Sequence, residues 1–239
     1  MSDSNQVAER TGNFEFEALR AARNYRKALL AEFSPSLSGE VIEVGAGIGQ
    51  FSQVLLSNPK IRHLTSVEPD AEFCRQFRQL LSGPTLVEGT VADLPPGTAA
   101  DAIVSVNVLE HIEQDERELK AYADLLKARG GSLCLFVPAR QEIYAPLDKD
   151  FGHFRRYSRN ELREKLARSG FETVRLNYFN FVGYFAWWLI FCVMGRRTFS
   201  PSSVRRFDKL IFPIVHFMEF NIVRPPFGQS LLAIARAQH

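Results

Sequence analysis

Cysteine and net charge are both scarce in this sequence, and each shortage excludes something. Cys74, Cys134 and Cys192 are the only cysteines in 239 residues. Odd in number, scattered and without metal-ligand spacing, they argue against a disulfide framework and against a zinc site, and they suit a reducing compartment. The 29 Lys and Arg nearly balance 27 Asp and Glu, for a formal charge of +2. A chain bound to nucleic acid through phosphates would carry a larger basic excess, so no nucleic-acid partner is expected. There is no internal repeat and no low-complexity tract. The opening MSDSNQVAERTG lacks the basic-then-apolar order of a signal peptide, so the expected location is cytoplasmic.

What is present is an ordinary globular balance, 46% hydrophobic and 23% charged, with Phe concentrated toward the C-terminus. It suits one domain over 1–239 with a substantial core. Phe14, Ala18, Ala22, Tyr25, Leu29 and Phe33 recur at helical spacing over 14–33, a helix stopped by Ser34-Pro35. Strand-like and helix-like segments then alternate. EVIEV, HLTSVE, TLVEG, DAIVSVN and SLCLFVP read as strands. Between them lie helices from about Gln50 to Leu56, after Asp70 with Phe73, Phe77, Leu80 and Leu81 inward, and over 115–129. Ser158 and Glu161 form a capping box that opens another helix. FETVRLNYF and SLLAIARA complete the set. Such alternation predicts an α/β fold with a mostly parallel sheet covered on both faces.

VIEVGAGIGQF at 41–51 places Gly45, Gly47 and Gly49 after an apolar strand. The dinucleotide fingerprint requires its third glycine one position later. Glu43, at the strand's end, would repel a pyrophosphate and attract an ammonium or sulfonium. Glu68, followed by Pro69, ends the second strand about twenty residues on, where an acid accepts hydrogen bonds from ribose hydroxyls. Thr90 and Val91 lie where the chain would pass an adenine, and Asp93 is either a partner for the exocyclic amine or a turn residue. Asn107 and Val108 follow the fourth strand, facing the reactive end of the cofactor.

The succession EVGAGIG, VEPD, GTVADLP, DAIVSVNVLEHI and GGSLCLFVP resembles the class I S-adenosylmethionine-dependent methyltransferases over roughly 40–179, resuming at the last strand. The resemblance implies a Rossmann-like seven-stranded sheet whose last strand is antiparallel, between the fifth and sixth, and S-adenosyl-L-methionine as cofactor. It implies that Gly45, Gly47 and Gly49 form the cofactor loop, with Glu43 at the methionine end, Glu68 on the ribose and Asn107 near the methionyl group. Thr90 stands where that family often has an Asp. Tyr25 becomes a lid residue of an N-terminal helical segment, 1–38, or a core residue.

Methyl transfer from a sulfonium needs alignment and exclusion of water, and a base only where the acceptor must lose a proton. No metal is required. His111, after the fourth strand, and His153, in KDFGHFRRYS with Asp148 and Asp150 nearby, are the candidate catalytic groups. The bland alternatives are a packing residue at the next helix for His111 and a structural polar knot with Arg155 and Arg156 for His153.

Between the last two strands, 180–229 is an apolar insertion. Residues 176–195 carry no charge, but the run is shared with the sixth strand and interrupted by Asn and Gly, so a membrane span is not expected. The insertion is expected to be mainly helical. It either covers an acceptor pocket or a homodimer face, or it rests on an anionic membrane through Trp187, Trp188 and Phe residues flanked by Arg196, Arg197, Arg205 and Arg206. The expected function is methyl transfer to an oxygen or nitrogen of an apolar small molecule or lipid-linked acceptor. The alternatives are a cofactor-binding protein without turnover and a nicotinamide-dependent oxidoreductase.

Overall fold

The computed structural model describes residues 22–198 and 200–238. Seven strands form one sheet: β1 Gly39–Val44, β2 Ile61–Glu68, β3 Thr85–Glu88, β4 Ala102–Val106, β5 Ser132–Pro138, β6 Phe171–Phe179 and β7 Ser230–Ala237. Their order is β3-β2-β1-β4-β5-β7-β6, with β7 antiparallel to both neighbours and the other pairs parallel. The last strand therefore lies antiparallel between the fifth and the sixth, as the resemblance implies. The direction of winding reverses between β1 and β4, which opens a crevice at their carboxyl ends.

The helices are α1 Arg23–Phe33, α2 Gln50–Leu55, α3 Ala71–Leu80, α4 Asp115–Lys127, α5 Pro146–Asp150, α6 Arg159–Arg168, α7 Phe181–Trp187, α8 Pro201–Arg206 and α9 Phe212–Asn221. Phe14, Ala18 and the first 21 positions of the expected 1–38 lid lie outside the described residues. The helix edges obey local chemistry. Asp70 caps α3 by accepting from the Glu72 and Phe73 amides, and Ser158 and Glu161 cap α6 reciprocally. Leu80, expected inward, is 46% exposed; Cys74 and Phe77 fill the buried stripe of α3, and the helix ends at Leu80 itself.

Alternate residues of the strands feed two cores. Leu133, Leu135 and Val137 of β5 pack with α4 and α6, while Cys134 and Phe136 face α1, α2 and Phe212. A sheet buried on both faces is why these strands read as nearly continuous apolar runs. The insertion is helical, as expected. A π-helical segment, Trp188–Val193, extends α7, and another, Phe207–Ile211, joins α8 to α9. Among the described residues, no helix is long and apolar enough to cross a membrane.

Candidate active site

At the carboxyl ends of β1 and β4 lies a cavity of about 410 Å³, within the roughly 300–1,000 Å³ of small-molecule sites. Tyr25, Glu43, Gly45, Gly47, Glu68, Pro69, Asn107, Val108 and His111 all line it. Register explains the setting of Glu43: it pairs with Ser66 across β1 and β2, so Ser66 Oγ donates to Glu43 Oε2 at 3.0 Å, and Ser52 Oγ of α2 donates to the same oxygen. The carboxyl is 3% exposed and no cation pairs with it among the described residues. Burial pushes its pKa up from 4.5 to about 7, against the two hydroxyls and with help from the nearby Glu68 charge.

Glu68 is held differently. The Gly47 amide donates to Oε2 at 2.7 Å and the Asp70 amide to Oε1 at 2.9 Å, leaving lone pairs on both oxygens. Burial raises its pKa, although these amides oppose it. Gly45 has φ of +72°, and a Cβ there would stand 2.2 Å from Val108 Cγ2, so only glycine allows the loop to lie against the β4 end. Gly49 serves packing instead: it caps α2 in a left-handed conformation, and a Cβ would meet Phe77 at 2.9 Å. Asn107 is also left-handed, at φ 53°, with its amide bonded to the Phe136 carbonyl. Such strain in a non-glycine residue marks a position fixed by its surroundings. Thr90, Val91 and Asp93 do not line the cavity. Asp93 Oδ2 accepts from the Thr90 amide at 2.8 Å and hydroxyl at 3.0 Å, closing a short 3₁₀ turn.

A second cavity of about 310 Å³ adjoins the first, and Tyr25, Asn107 and Phe151 line both. Its walls include Phe136, Trp187, Ile190, Phe191 and Phe207, with His153, Arg156, Asn180 and Gln229 as polar points. Trp187, which the membrane-face reading of the insertion placed on the outer surface, turns inward: its Nε1 donates to the Ile143 carbonyl at 3.1 Å and its ring lies 4.5 Å beneath the Arg156 guanidinium. The insertion thus builds much of the wall. It is tied to α1 by Asp208, whose carboxylate accepts the Asn24 and Tyr25 amides at 3.0 and 2.9 Å. Glu219 of α9 likewise accepts the Asn180 and Phe181 amides at the start of α7. Both acids of the insertion thereby satisfy helix N-termini that have no intrahelical acceptor.

The GHFRRYS run divides between structure and site. Arg155 and Lys165 pair with Asp115, and the Tyr157 hydroxyl donates to the same carboxylate. Arg156 Nε donates to Asp148 Oδ1 at 2.8 Å, and His153 Nδ1 lies 3.0 Å from that oxygen. Asp148, not Asp150, is therefore the partner of His153; Asp150 lies 3.6 Å from Arg197. Burial would raise the Asp148 pKa, but His153 and Arg156 outweigh it and hold the carboxyl below its usual value. His153 Nε2 is buried and has no hydrogen-bond partner among the described residues. It lies 4.0 Å from Oε1 of the fully buried Glu110, a residue not singled out by sequence although it sits beside His111. The His111 and His153 rings meet edge to face at 4.7 Å. Burial, then the neighbouring His153, pushes the His111 pKa down to about 4, so its imidazole is neutral at pH 7.

A sequence profile described as a methyltransferase domain matches residues 16–176. A trans-aconitate 2-methyltransferase of Rhodopseudomonas palustris (strain BisB18) is 26% identical over 131 residues, 55% of this chain and 49% of that protein. The chain thus spans about half the length of the curated relatives it matches. Among solved structures, a SAM-dependent methyltransferase of Thermotoga maritima superposes with a TM-score of 0.65 at 21% identity, covering 98% of this chain and 99% of that one. The DhpI–SAH complex gives 0.61 at 16% identity, covering 99% and 96%. At these identities the structures speak for the fold.

Proposed function

Because the chain belongs to the methyltransferase-domain family, with S-adenosyl-L-methionine as its cofactor, we propose that it transfers a methyl group to an oxygen or nitrogen of an acceptor with a sizeable apolar part. The observation that carries this reading is Glu43, a buried carboxyl that accepts from two serine hydroxyls and, among the described residues, has no cation beside it, on the wall of the 410 Å³ cavity. Such a group is poorly compensated alone and well matched to a positively charged ligand. Glu68, with lone pairs remaining on both oxygens, suits a pair of ribose hydroxyls. The Gly45 backbone and Val108 would border the ligand, and Tyr25 would close it from α1 as a lid residue. When bound, the cofactor supplies a methyl group activated by its sulfonium. The protein's own part is to hold the acceptor in the second cavity, keep water out with the aromatic wall, and fix the acceptor's heteroatom near His153 and His111.

Calorimetric titration with S-adenosylhomocysteine and, separately, NADH tests the reading. Binding of the first is expected; NADH binding with none for S-adenosylhomocysteine would overturn it. Glu68→Ala is expected to weaken S-adenosylhomocysteine binding by about 1–3 kcal/mol, the cost of leaving hydrogen-bonding groups unpaired. Unaltered affinity would remove Glu68 from the ribose site. A protein that binds the cofactor but methylates nothing across a broad acceptor panel would be a cofactor-binding protein without turnover.

The acceptor reaches the second cavity from an anionic membrane surface. Supporting this, Phe185, Trp188, Leu189, Leu210, Ile214 and Phe217 of the insertion are each at least 46% exposed. Arg196, Arg197, Arg205, Arg206, Lys209 and Arg224 are exposed around them, while Asp208 and Glu219, the insertion's acids, are buried at helix starts. The outer face is therefore apolar and basic with no exposed acid among the described residues of 180–229. An isologous dimer through it would set those six cations against their own copies. Anionic lipid complements them at about 1 kcal/mol per basic residue. Sedimentation with phosphatidylglycerol vesicles is expected to retain the protein, phosphatidylcholine vesicles much less. Replacing Arg196, Arg197, Arg205 and Arg206 by Gln should release it. A dimer in solution together with no vesicle binding would refute the membrane partner.

A further inference from the structure

We propose that Glu110, His111 and His153 form a binding site for a divalent transition-metal cation at the junction of the two cavities. Their ligand atoms all lie within 4.8 Å of one another, and the residues come from different parts of the chain. Glu110 and His111 sit in the 3₁₀ turn Leu109–His111 after β4, and His153 follows α5. Neighbours in a tetrahedral shell with bonds of about 2.1 Å stand about 3.4 Å apart, so small side-chain rotations bring the three onto one ion. His153 Nε2 already lies 4.0 Å from Glu110 Oε1.

The surroundings prepare each histidine as a ligand. Metal-bound imidazoles ordinarily give their second ring N–H to a carboxylate or a backbone carbonyl, which fixes the tautomer and aims the remaining lone pair. His153 Nδ1 has Asp148 Oδ1 at 3.0 Å, and His111 bonds to the Phe151 backbone. With Nδ1 donating, His153 Nε2 presents a lone pair, and that atom is the buried one with no partner among the described residues. The side chain is more than nine-tenths buried. A lone pair withheld from water costs free energy that a cation would recover. Arg156 on the same Asp148 oxygen keeps that carboxylate charged and turned toward His153.

Two imidazoles and one carboxylate favour zinc-like first-row ions over magnesium, which prefers oxygen ligands. Position gives the ion a role. His111 lines the first cavity, and Glu110 and His153 line the second. Three protein ligands leave coordination positions for the acceptor's heteroatom, which would be held in place and would lose its proton to solvent more readily. That role rests on the acceptor site proposed above; the binding of the ion does not.

The test is titration of the whole protein with ZnCl2 by calorimetry and with CoCl2 by visible absorption. The wild type is expected to bind one ion of either kind, and His153→Ala and Glu110→Gln to lose at least about a hundredfold in affinity. Asp148→Asn, altering only the positioning residue, should lose about 10–100-fold. S-adenosylhomocysteine binding reports folding of the variants, and retention by His153→Ala is expected. Should Glu110→Gln fail to fold, His153→Ala and His111→Ala decide. Wild-type protein that binds S-adenosylhomocysteine but neither metal, or variants that bind both metals as tightly as wild type, would overturn the site. Metal binding without S-adenosylhomocysteine binding would instead remove the methyltransferase reading and leave the metal site standing.

Discussion

Asp148→Ala is expected to destabilise the fold by about 3–5 kcal/mol, read as a lower urea midpoint at unchanged slope. The carboxylate is fully buried and holds three groups at once: Arg156 Nε at 2.8 Å, His153 Nδ1 at 3.0 Å and the Ala145 amide at 2.8 Å. Removing it leaves the Arg156 charge, on a residue only 3% exposed, without its counter-ion. The remaining contacts of that guanidinium, the Ala139 carbonyl at 3.2 Å, the Gln229 carbonyl at 3.5 Å and the Trp187 ring, do not replace an anion. Exposed pairs set the opposite scale. Arg75 and Glu72, with side chains 64% and 52% exposed, are screened by water and should contribute little. Asp148→Asn keeps an acceptor oxygen and most of the volume, so it should cost clearly less than Ala. Trp187 emission offers a second readout, because Arg156 rests on that ring. A loss below about 1 kcal/mol for Ala would mean that Arg156 finds another partner or water.

Legibility from sequence followed distance along the chain. Local signals held: the Asp70 cap and the Ser158–Glu161 box both act within a few residues of themselves. The alternating pattern gave the sheet, while its order came from resemblance, since periodicity says nothing of which strands pair. Asp208 was not legible as a cap because the amides it serves are 184 and 183 positions away. The same holds for the half-buried Trp187, whose indole N–H is met by a carbonyl 44 residues earlier. The reading of no metal cluster rested on cysteine spacing. It missed that a turn after β4 and the segment after α5 bring Glu110, His111 and His153 together. Glu43 was legible as an anomaly, a carboxyl ending an apolar strand, and the two serines that accompany it were not.

That anomaly leads to a pH dependence with two opposite signs. In the free protein the Glu43 pKa is raised from 4.5 to about 7 by burial. A raised carboxyl favours the folded state while protonated, so its contribution is complete below about pH 4.5 and lost as pH rises through 7. At about 1.4 kcal/mol per decade of proton affinity, that displacement corresponds to about 3 kcal/mol. Glu43→Gln, uncharged at every pH, should therefore be more stable than wild type above pH 8 by up to about 3 kcal/mol without ligand. Binding reverses the order. A positively charged ligand favours the ionised carboxyl, so wild-type affinity for S-adenosylhomocysteine, which carries an ammonium group, should be highest above pH 8. It should fall as pH drops below 7, by at most tenfold per unit for one proton. Binding near pH 7 should release a fraction of a proton, visible as a dependence of the calorimetric enthalpy on the buffer. Glu43→Gln should bind more weakly and remove the part of that slope centred near 7. A wild-type affinity flat from pH 6 to 8, or a variant with the same slope, would show that the ligand's charge does not meet this carboxyl.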